Sequence, residues 1–264
     1  MKLGLLAGSG ELPLEFLKSA KSKGHEAITF ALAGITSPEV ERLSYKVIWI
    51  KPFKLGKFLK ELSKEKVEEI AILGKVEHKN ALSITGLDLK GISFLFSLKE
   101  KKPETILRGI IKEIEKEGVK VIDPTPYLSH LLCEKGVIFG KLTQDLAEEA
   151  EFGMKVAKEI ASLDIGQTVV IKDKAVIAVE GVEGTDKCIE RGAELAGKDF
   201  IVCKAARKKQ DMRIDVPTVG EKTVELVGKL GGKAIFFEAG KTYFLNKEKI
   251  KILAKKYNLV IASV

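Results

Sequence analysis

The sequence predicts an α/β protein with two α/β domains, the first Rossmann-like with a mainly parallel sheet and the second with a mixed α/β sheet. In the first half, short apolar runs alternate with stretches that have apolar residues at helical spacing, a pattern typical of buried parallel strands and their connecting helices. In the second half, two β-rich runs are separated only by a turn at Asp173, which indicates an antiparallel hairpin. The 264 residues suit two domains of roughly 130 residues each.

The first half is predicted to contain five buried strands, namely Leu3–Ala7, Ala27–Leu32, Lys46–Ile50, Ile70–Leu73 and Val119–Ile122. Helices with one apolar face are predicted between them, over Leu12–Lys21, Phe53–Leu62 and Pro103–Lys116. The last of these helices has proline near its start and Gly118 after its end, the usual arrangement for helix termini.

The second half begins with a long predicted helix, Leu142–Leu163, followed by the hairpin of Thr168–Lys172 and Ala175–Glu180. Helices and strands then alternate over Asp186–Ala196, Phe200–Ala205, Glu221–Leu230, Ala234–Phe237, Lys247–Lys256 and Leu259–Ala262. Gly136 and Gly140 interrupt the apolar pattern between the halves. We therefore expect an N-terminal domain over 1–135, a linker over 136–142 and a C-terminal domain over 143–264.

Charge is distributed unevenly along the chain. The formal net charge is +8, and residues 201–264, with 14 basic and 6 acidic side chains, supply all of it. A basic third beside a neutral remainder indicates an anionic partner for that third. Because acids are mixed with the bases there, and aromatic residues for stacking are few, we do not expect nucleic-acid binding.

Several classes of protein are excluded by the remaining composition. No apolar run approaches the ~18–20 residues that span a bilayer, and the first residues lack the features of a signal peptide. Three scattered cysteines do not form a disulfide framework, so we expect a cytoplasmic protein. Many lysines and glutamates with only three glutamines and three asparagines are typical of a thermophile.

Glycine-rich turns give only weak signals. Gly8-Ser9-Gly10 follows the first strand and opens a helix, where free amides can bind phosphate. A dinucleotide fingerprint would need glycine at Pro13, so a plain tight turn is as good an interpretation. Gly240-Lys241-Thr242 lacks the earlier glycine of a P-loop, because that position is Ile235, and we exclude NTPase chemistry on this basis.

The polar residues are densest after three predicted strands. These segments are Glu180–Asp186, Lys204–Asp215 and Glu238–Thr242. They would meet at one edge of a sheet, the usual ligand location in open α/β folds. For the first segment alone, a capped helix with solvated acids would be the simpler interpretation.

Asp211, Arg213 and Asp215 alternate, so an extended backbone would place all three on one face. Such a row offers two carboxylates for a metal ion or water and one guanidinium for a phosphate oxygen. The competing interpretation is a charged edge strand. We favour a functional role, because two of only five arginines in the chain, Arg207 and Arg213, lie in this stretch. The histidines and cysteines have no zinc-ligand spacing, so a metal would be Mg²⁺, or Mn²⁺, bound by oxygen.

Together these motifs resemble a family, the bacterial UDP-2,3-diacylglucosamine pyrophosphatases of lipid A biosynthesis, of the metal-dependent type that lacks the calcineurin-like signature. The matching pieces, in order along the chain, are Gly8–Gly10 with Leu12-Pro13, Gly74–Val76, Ile165–Val170, Ala178–Glu180 with Glu183–Asp186, Gln210–Gly220 and Glu238–Thr242.

The resemblance implies a two-domain enzyme with its substrate between the domains. It implies Mg²⁺-assisted hydrolysis of a UDP-linked diacylated sugar to UMP and a lipid monosaccharide phosphate. The family's essential aspartate maps to Asp211 or Asp215, which are our candidate metal ligands and, with Arg213, our candidate catalytic residues. The candidates for substrate binding are Gly8, Ser9, Gly10, Lys75, Thr185, Asp186, Arg191, Lys204, Gln210, Thr218, Lys241 and Thr242.

An enzyme of this kind would contact the cytoplasmic face of the inner membrane peripherally, and a homodimer is one assembly to expect. The apolar stretch Ile92–Leu98 is a candidate groove for acyl chains, although a buried helix face is the simpler interpretation of it. Two other functions stay open. One is transfer of a phosphoryl or nucleotidyl group from a similar UDP-sugar, and the other is non-enzymatic binding of a lipid or an anion.

Overall fold

The computed structural model describes residues 2–76, 87–98, 100, 103–207, 211–214 and 216–264, which form two compact units. The first unit comprises the described residues of Met1–Ser129 and Met212–Asp215, and the second comprises those of His130–Asp211 and Val216–Val264. Each unit has its own α/β sheet. The predicted fold class, with one mainly parallel and one mixed sheet, is confirmed.

The first unit contains a five-stranded parallel sheet in the order β3-β2-β1-β4-β5. Its strands are β1 (Leu3–Ala7), β2 (Ala27–Leu32), β3 (Lys46–Ile50), β4 (Glu69–Leu73) and β5 (Lys120–Val121). Its helices are α1 (Leu12–Ser22), α2 (Val40–Leu43), α3 (Leu55–Lys64), α4 (Leu89–Ser97), α5 (Pro103–Lys116) and α6 (Thr125–Leu128). A 3-10 turn at Ser129–Leu131 follows.

Burial explains why these segments adopt their structures. In β1, the central strand, Leu3, Leu5 and Ala7 lie on one face of the sheet and are all fully buried. Helix α3 buries four apolar residues at helical spacing, Leu55, Phe58, Leu59 and Leu62.

The second unit contains a six-stranded sheet in the order β6-β13-β11-β9-β7-β8. Its strands are β6 (Gly136–Phe139), β7 (Thr168–Lys172), β8 (Ala175–Val179), β9 (Ile201–Lys204), β11 (Ala234–Phe237) and β13 (Val260–Ser263). The strands β10 (Thr218–Val219) and β12 (Tyr243–Phe244) form a separate parallel pair. The helices are α7 (Gln144–Ser162), α8 (Thr185–Ala196), α9 (Glu221–Lys229) and α10 (Lys247–Tyr257).

The direction of the strands brings several of their ends to one edge. Strands β9, β11 and β13 are parallel to one another, whereas β7 is antiparallel to β9 and β8 is antiparallel to β7. The carboxyl ends of β8, β9 and β11 therefore lie at the same edge. The predicted hairpin of β7 and β8 is confirmed, and its turn residues Asp173 and Lys174 both have positive φ, as a tight hairpin turn requires.

The structure differs from the expected linker over 136–142. Residues Gly136–Phe139 form β6, which pairs antiparallel with β13 at the edge of the second sheet. Gly136 and Gly140 both have positive φ, so these glycines mark the two ends of a short strand. Among the described residues, no helix combines the length and the apolar content needed to cross a membrane.

Candidate functional site

Lys204 is the central residue of the polar cluster in the second unit. It ends β9, and its side chain is buried, with 6% of the residue exposed. Its Nζ donates to the carbonyl oxygen of Thr218 at 3.0 Å and to Oγ1 of Thr185 at 3.3 Å. A buried ammonium needs such partners, because its transfer out of water is costly.

A single hydroxyl links this ammonium to a carboxylate. Thr185 Oγ1, at the first residue of α8, donates to Glu180 Oε1 at 3.0 Å, and Glu180 Oε2 accepts from the backbone N of Gln167 at 3.2 Å. The hydroxyl of Thr168 lies 3.4 Å from that of Thr185. The cluster therefore runs from Lys204 through Thr185 to Glu180, with Thr168 beside it.

Two glycines make this arrangement possible. A Cβ at Gly166 would lie 2.1 Å from the carbonyl oxygen of Glu180, so only glycine allows the backbone to approach there. Gly184 has φ +84 immediately before α8, which turns the chain so that Thr185 starts the helix beside Glu180. The backbone thus fixes the distance between the carboxylate and the hydroxyl.

The third strand end joins the cluster through Glu238. This residue follows β11, and its backbone N donates to the carbonyl oxygen of Lys204 at 3.1 Å. Its Oε2 accepts from the backbone N of Ala206 at 3.0 Å, and its Oε1 accepts from Lys241 Nζ at 2.9 Å. The predicted meeting of the three strand ends at one edge is confirmed.

The other predicted binding residues of this unit have different surroundings. Thr218 contributes its carbonyl oxygen to Lys204, while its hydroxyl donates to the carbonyl oxygen of Val216 at 3.2 Å. Thr242 is fully buried, and its hydroxyl has no hydrogen-bond partner among the described residues. Asp186 is exposed in the first turn of α8. Of these three, Thr218 is part of the cluster around Lys204.

Arg191 forms hydrogen bonds within the second unit. Its guanidinium donates to Glu183 Oε1 at 2.6 Å and to the carbonyl oxygen of Val179 at 2.9 Å. The hydrogen bond from Arg191 holds the pKa of the Glu183 carboxyl below its usual range. A phosphate would have to compete with this pair for the guanidinium, so its predicted substrate contact stays a prediction.

In the first unit, the glycine turn after β1 packs against the turn after β4. The backbone N of Gly8 donates to the carbonyl oxygen of Leu73 at 2.8 Å, and the backbone N of Ser9 donates to that of Lys75 at 2.9 Å. The hydroxyl of Ser9 also donates to the carbonyl oxygen of Lys75, at 2.9 Å. A Cβ at Gly8 would lie 2.7 Å from the same oxygen. The amides of Gly8 and Ser9 are thus used within the unit, whereas a Cβ added at Gly10, which has φ +98, would meet no atom within 4 Å.

The predicted catalytic stretch has a conformation that the sequence did not indicate. Asp211 precedes a turn formed by Met212–Ile214, so the described part of the stretch is not the extended strand that the alternating charges indicated. Arg213 Nη1 donates to Glu115 Oε1 of α5 at 3.3 Å, within the first unit. Gln210 and Asp215 lie outside the described residues.

A resident metal ion needs several donor side chains that the fold brings together. In the described part of the chain, no group of three His, Cys, Asp or Glu side chains is placed to hold a metal ion. Glu180 and Glu238, the acids nearest Lys204, accept hydrogen bonds from the protein. The described residues alone do not fit a resident metal ion.

Three residues of the cluster, namely Thr168, Glu180 and Glu238, were not predicted from the sequence as site residues. Thr168 pairs in register with Lys204 across β7 and β9, and this non-local pairing has no signal in the local sequence. Glu180 and Glu238 did carry a signal, since each directly follows an apolar strand, but each could equally be a solvated acid.

Solved structures of low similarity include N5-carboxyaminoimidazole ribonucleotide synthetase from Thermotoga maritima. It has a TM-score of 0.27 and 17% identity over 65% of this chain and 34% of that chain. A glycosyltransferase from Rickettsia africae has a TM-score of 0.29 and 12% identity over 98% of this chain and 65% of that chain. Scores this low support no statement about fold or chemistry.

Sequence comparisons are more informative. A relative from Caulobacter vibrioides, named UDP-2,3-diacylglucosamine pyrophosphatase LpxI, is 29% identical over 275 residues, covering 100% of this chain and 97% of the relative. The family model of the LpxI N-terminal domain matches residues 2–131, and that of the LpxI C-terminal domain matches residues 134–262. Since these two matches extend over nearly the whole sequence, the chain belongs to the LpxI family.

Proposed function

We propose that the protein hydrolyses the pyrophosphate bond of UDP-2,3-diacylglucosamine to UMP and 2,3-diacylglucosamine 1-phosphate in lipid A biosynthesis. The observation that carries this proposal is the full-length alignment with the Caulobacter protein of that name. Both family matches support it, because the whole chain and not a single domain is shared.

The cluster around Lys204 suits the charge of this substrate. A pyrophosphate diester carries two negative charges, and its hydrolysis places further charge on the leaving phosphate. The Lys204 ammonium lies at the edge where β8, β9 and β11 end, and its burial strengthens attraction to an anion. We assign Lys204 the role of binding a phosphate oxygen, with Thr185 and Glu180 fixing its position.

The water that attacks phosphorus needs a group to accept its proton. In the proposed reaction the water oxygen bonds to one phosphorus, a carboxylate accepts the proton, and the bridging oxygen leaves with the other phosphate. Our candidates for the carboxylate are Asp211, which is described and partly buried, and Asp215, which lies outside the described residues. Arg213 stays a predicted phosphate contact, in competition with Glu115.

Dependence on Mg²⁺ or Mn²⁺ stays a prediction. A bound divalent ion would neutralise phosphate charge. Because the described residues do not assemble three ligands, we assign the ion to Asp211 and Asp215 only as a hypothesis, and derive no step through it.

The lipid part of the substrate leads us to propose peripheral contact with the cytoplasmic face of the inner membrane. Helix α4 supports this proposal, because Leu89 and Phe96 are 86% and 80% exposed. These two residues lie seven positions apart and hence on one face of the helix. The homodimer stays a prediction.

Product analysis tests the proposed function. The purified protein is incubated with UDP-2,3-diacylglucosamine, with water as the only acceptor, and the products are identified by mass spectrometry. Equal amounts of UMP and 2,3-diacylglucosamine 1-phosphate are expected. In ¹⁸O-labelled water, the product that carries the label identifies the phosphorus attacked.

The same experiment separates the alternatives. A transferase would release nothing until a second acceptor is added, and a non-enzymatic binder would return the substrate unchanged. If folded protein releases no UMP with or without divalent ions, the proposed hydrolysis is wrong.

A further inference from the structure

The segment that carries the predicted catalytic residues passes from one unit to the other. Asp211 is grouped with the second unit, whereas Met212, Arg213 and Ile214 are grouped with the first. Val216 and the residues after it again belong to the second unit. A few residues of the C-terminal half are thus part of the N-terminal fold.

Ile214 is buried in that fold. It is 4% exposed and belongs to the same buried cluster as Phe94 of α4 and Ile111 and Ile114 of α5. Its immediate neighbours in sequence, Arg213 and Asp215, are both charged. Burial of the isoleucine restricts the backbone that leads into it from Met212 and Arg213, because core side chains are closely packed.

A second contact acts at the same place. Arg213 donates to Glu115 of α5, but the two side chains are 31% and 45% exposed. Partly exposed ion pairs hold their partners weakly, since water and salt screen them. Of these two contacts, the burial of Ile214 is therefore the stronger.

We propose that Ile214 is a positioning residue for the proposed hydrolysis. Its side chain attaches the Asp211–Ile214 segment to the core of the first unit and thereby sets the position of the predicted catalytic aspartate Asp211. This inference rests on the proposed function, although the attachment itself can be measured without substrate.

The consequence is a rate effect at a residue that touches no substrate. Small displacements of a catalytic group, of about 1 Å, cost on the order of 10²-fold in rate. If the attachment is lost, kcat should fall by a larger factor than KM rises, because Lys204, the residue assigned to bind a phosphate oxygen, lies outside this segment.

The experiment compares Ile214→Ala with Ile111→Ala in the full-length protein. Ile111 is the matched control, since it is 3% exposed and belongs to the same cluster but lies on α5 and is not part of the segment 211–214. Hydrogen–deuterium exchange of the peptide that contains 211–214 is measured first, and UMP release from UDP-2,3-diacylglucosamine second. In Ile214→Ala, the amides of that peptide should exchange faster and kcat should fall about 10-fold to 100-fold. In Ile111→Ala, the melting temperature should fall by a similar amount, but neither the exchange of that peptide nor kcat should change.

Two further variants keep the test decisive. If either alanine variant is unfolded at the assay temperature, Ile214→Val and Ile111→Val are compared in its place, with the same expected order. Equal exchange and equal kcat in the two members of a pair would overturn the inference. If the wild-type protein releases no UMP, the proposed function fails, and the exchange measurement still decides whether Ile214 holds the segment.

Discussion

Replacement of Lys204 by methionine gives the sharpest test of the candidate site. Lys204→Met keeps most of the length of the side chain and removes the ammonium. In the wild-type protein the ammonium donates to the carbonyl oxygen of Thr218 and to the hydroxyl of Thr185. The hydroxyl keeps its own hydrogen bond to Glu180 in the variant, so the rest of the cluster should stay in place.

The effect on stability should be small. Loss of the donor leaves the Thr218 carbonyl without that bond, which costs about 1–3 kcal/mol. The variant also avoids burying a charge, a penalty of several kcal/mol in the wild-type protein that its contacts offset only in part. Since the two effects oppose each other, we expect the free energy of unfolding to change by less than about 2 kcal/mol.

The effect on activity should be larger. Removal of one charge-stabilising contact typically costs about 3 kcal/mol of transition-state stabilisation, or about 10²-fold in rate. We therefore expect kcat/KM for UMP release to fall about 100-fold in protein that remains folded.

Lys172→Met is the matched control. Lys172 lies at the other end of β7 from Thr168, and its Nζ donates to the carbonyl oxygen of Ala196 at 2.7 Å. The Lys172→Met variant thus loses an ammonium–carbonyl contact of the same kind in the same unit, away from the candidate site. Urea denaturation and steady-state UMP release are measured for both variants. Activity of Lys204→Met within threefold of wild type, or an equal loss in Lys172→Met, would refute the role assigned to Lys204.

Three other predictions concern the backbone, the thiols and the metal ion. Gly166→Ala places a Cβ 2.1 Å from the carbonyl oxygen of Glu180 and should lower the free energy of unfolding in urea by about 1–3 kcal/mol. Gly220→Ala is the control, because no atom lies nearer than 3.9 Å to its new Cβ, and it should lower that free energy less. The reverse order would contradict the packing argument. Burial raises the pKa of Cys188 to about 12 and also raises that of Cys203. Neither thiol should therefore react with a disulfide reagent at mildly alkaline pH until guanidinium unfolds the protein. Rapid reaction of both thiols in the native protein would contradict this prediction. Treatment with EDTA should abolish UMP release and Mg²⁺ should restore it, whereas full activity in EDTA would remove the metal prediction.

The regular elements could be predicted because their signals are local. The apolar runs Leu3–Ala7 and Ala234–Phe237 coincide with β1 and β11. The two-residue strands β10 and β12 could not be predicted, since a pair of residues is too short to show a period.

The candidate site could be predicted only in outline. Parallel strand direction implies that strand ends meet at one edge, and this was enough to place Lys204 near the segments that contain Glu180 and Glu238. The particular partners depend on register and on backbone approach. Thr168 lies beside Lys204 through the pairing of β7 with β9, and Gly166 permits the contact with Glu180.

The segment 211–214 shows where local reasoning fails. Alternating charges at Asp211, Arg213 and Asp215 favoured an extended strand, but the structure has a turn at Met212–Ile214. The physical reason is non-local. Ile214 is buried in the core of the first unit, and Arg213 pairs with Glu115, which lies 98 residues earlier in the chain. The signal available in the sequence was Ile214 itself, an apolar residue between charged ones.

The lysines of the second unit differ in burial, and this difference decides how strongly each can attract an anion. In the second unit Lys229, Lys241 and Lys251 pair with Glu225, Glu238 and Glu248, and each of these lysine side chains is about half exposed or more. Such charges are screened by salt over a Debye length of about 8 Å, so they contribute a diffuse attraction for anions. Lys204 is different, because among the described lysines it alone is buried, and its field is not screened in this way. One buried ammonium at a strand end can therefore matter more to a phosphate than the whole surface excess of charge.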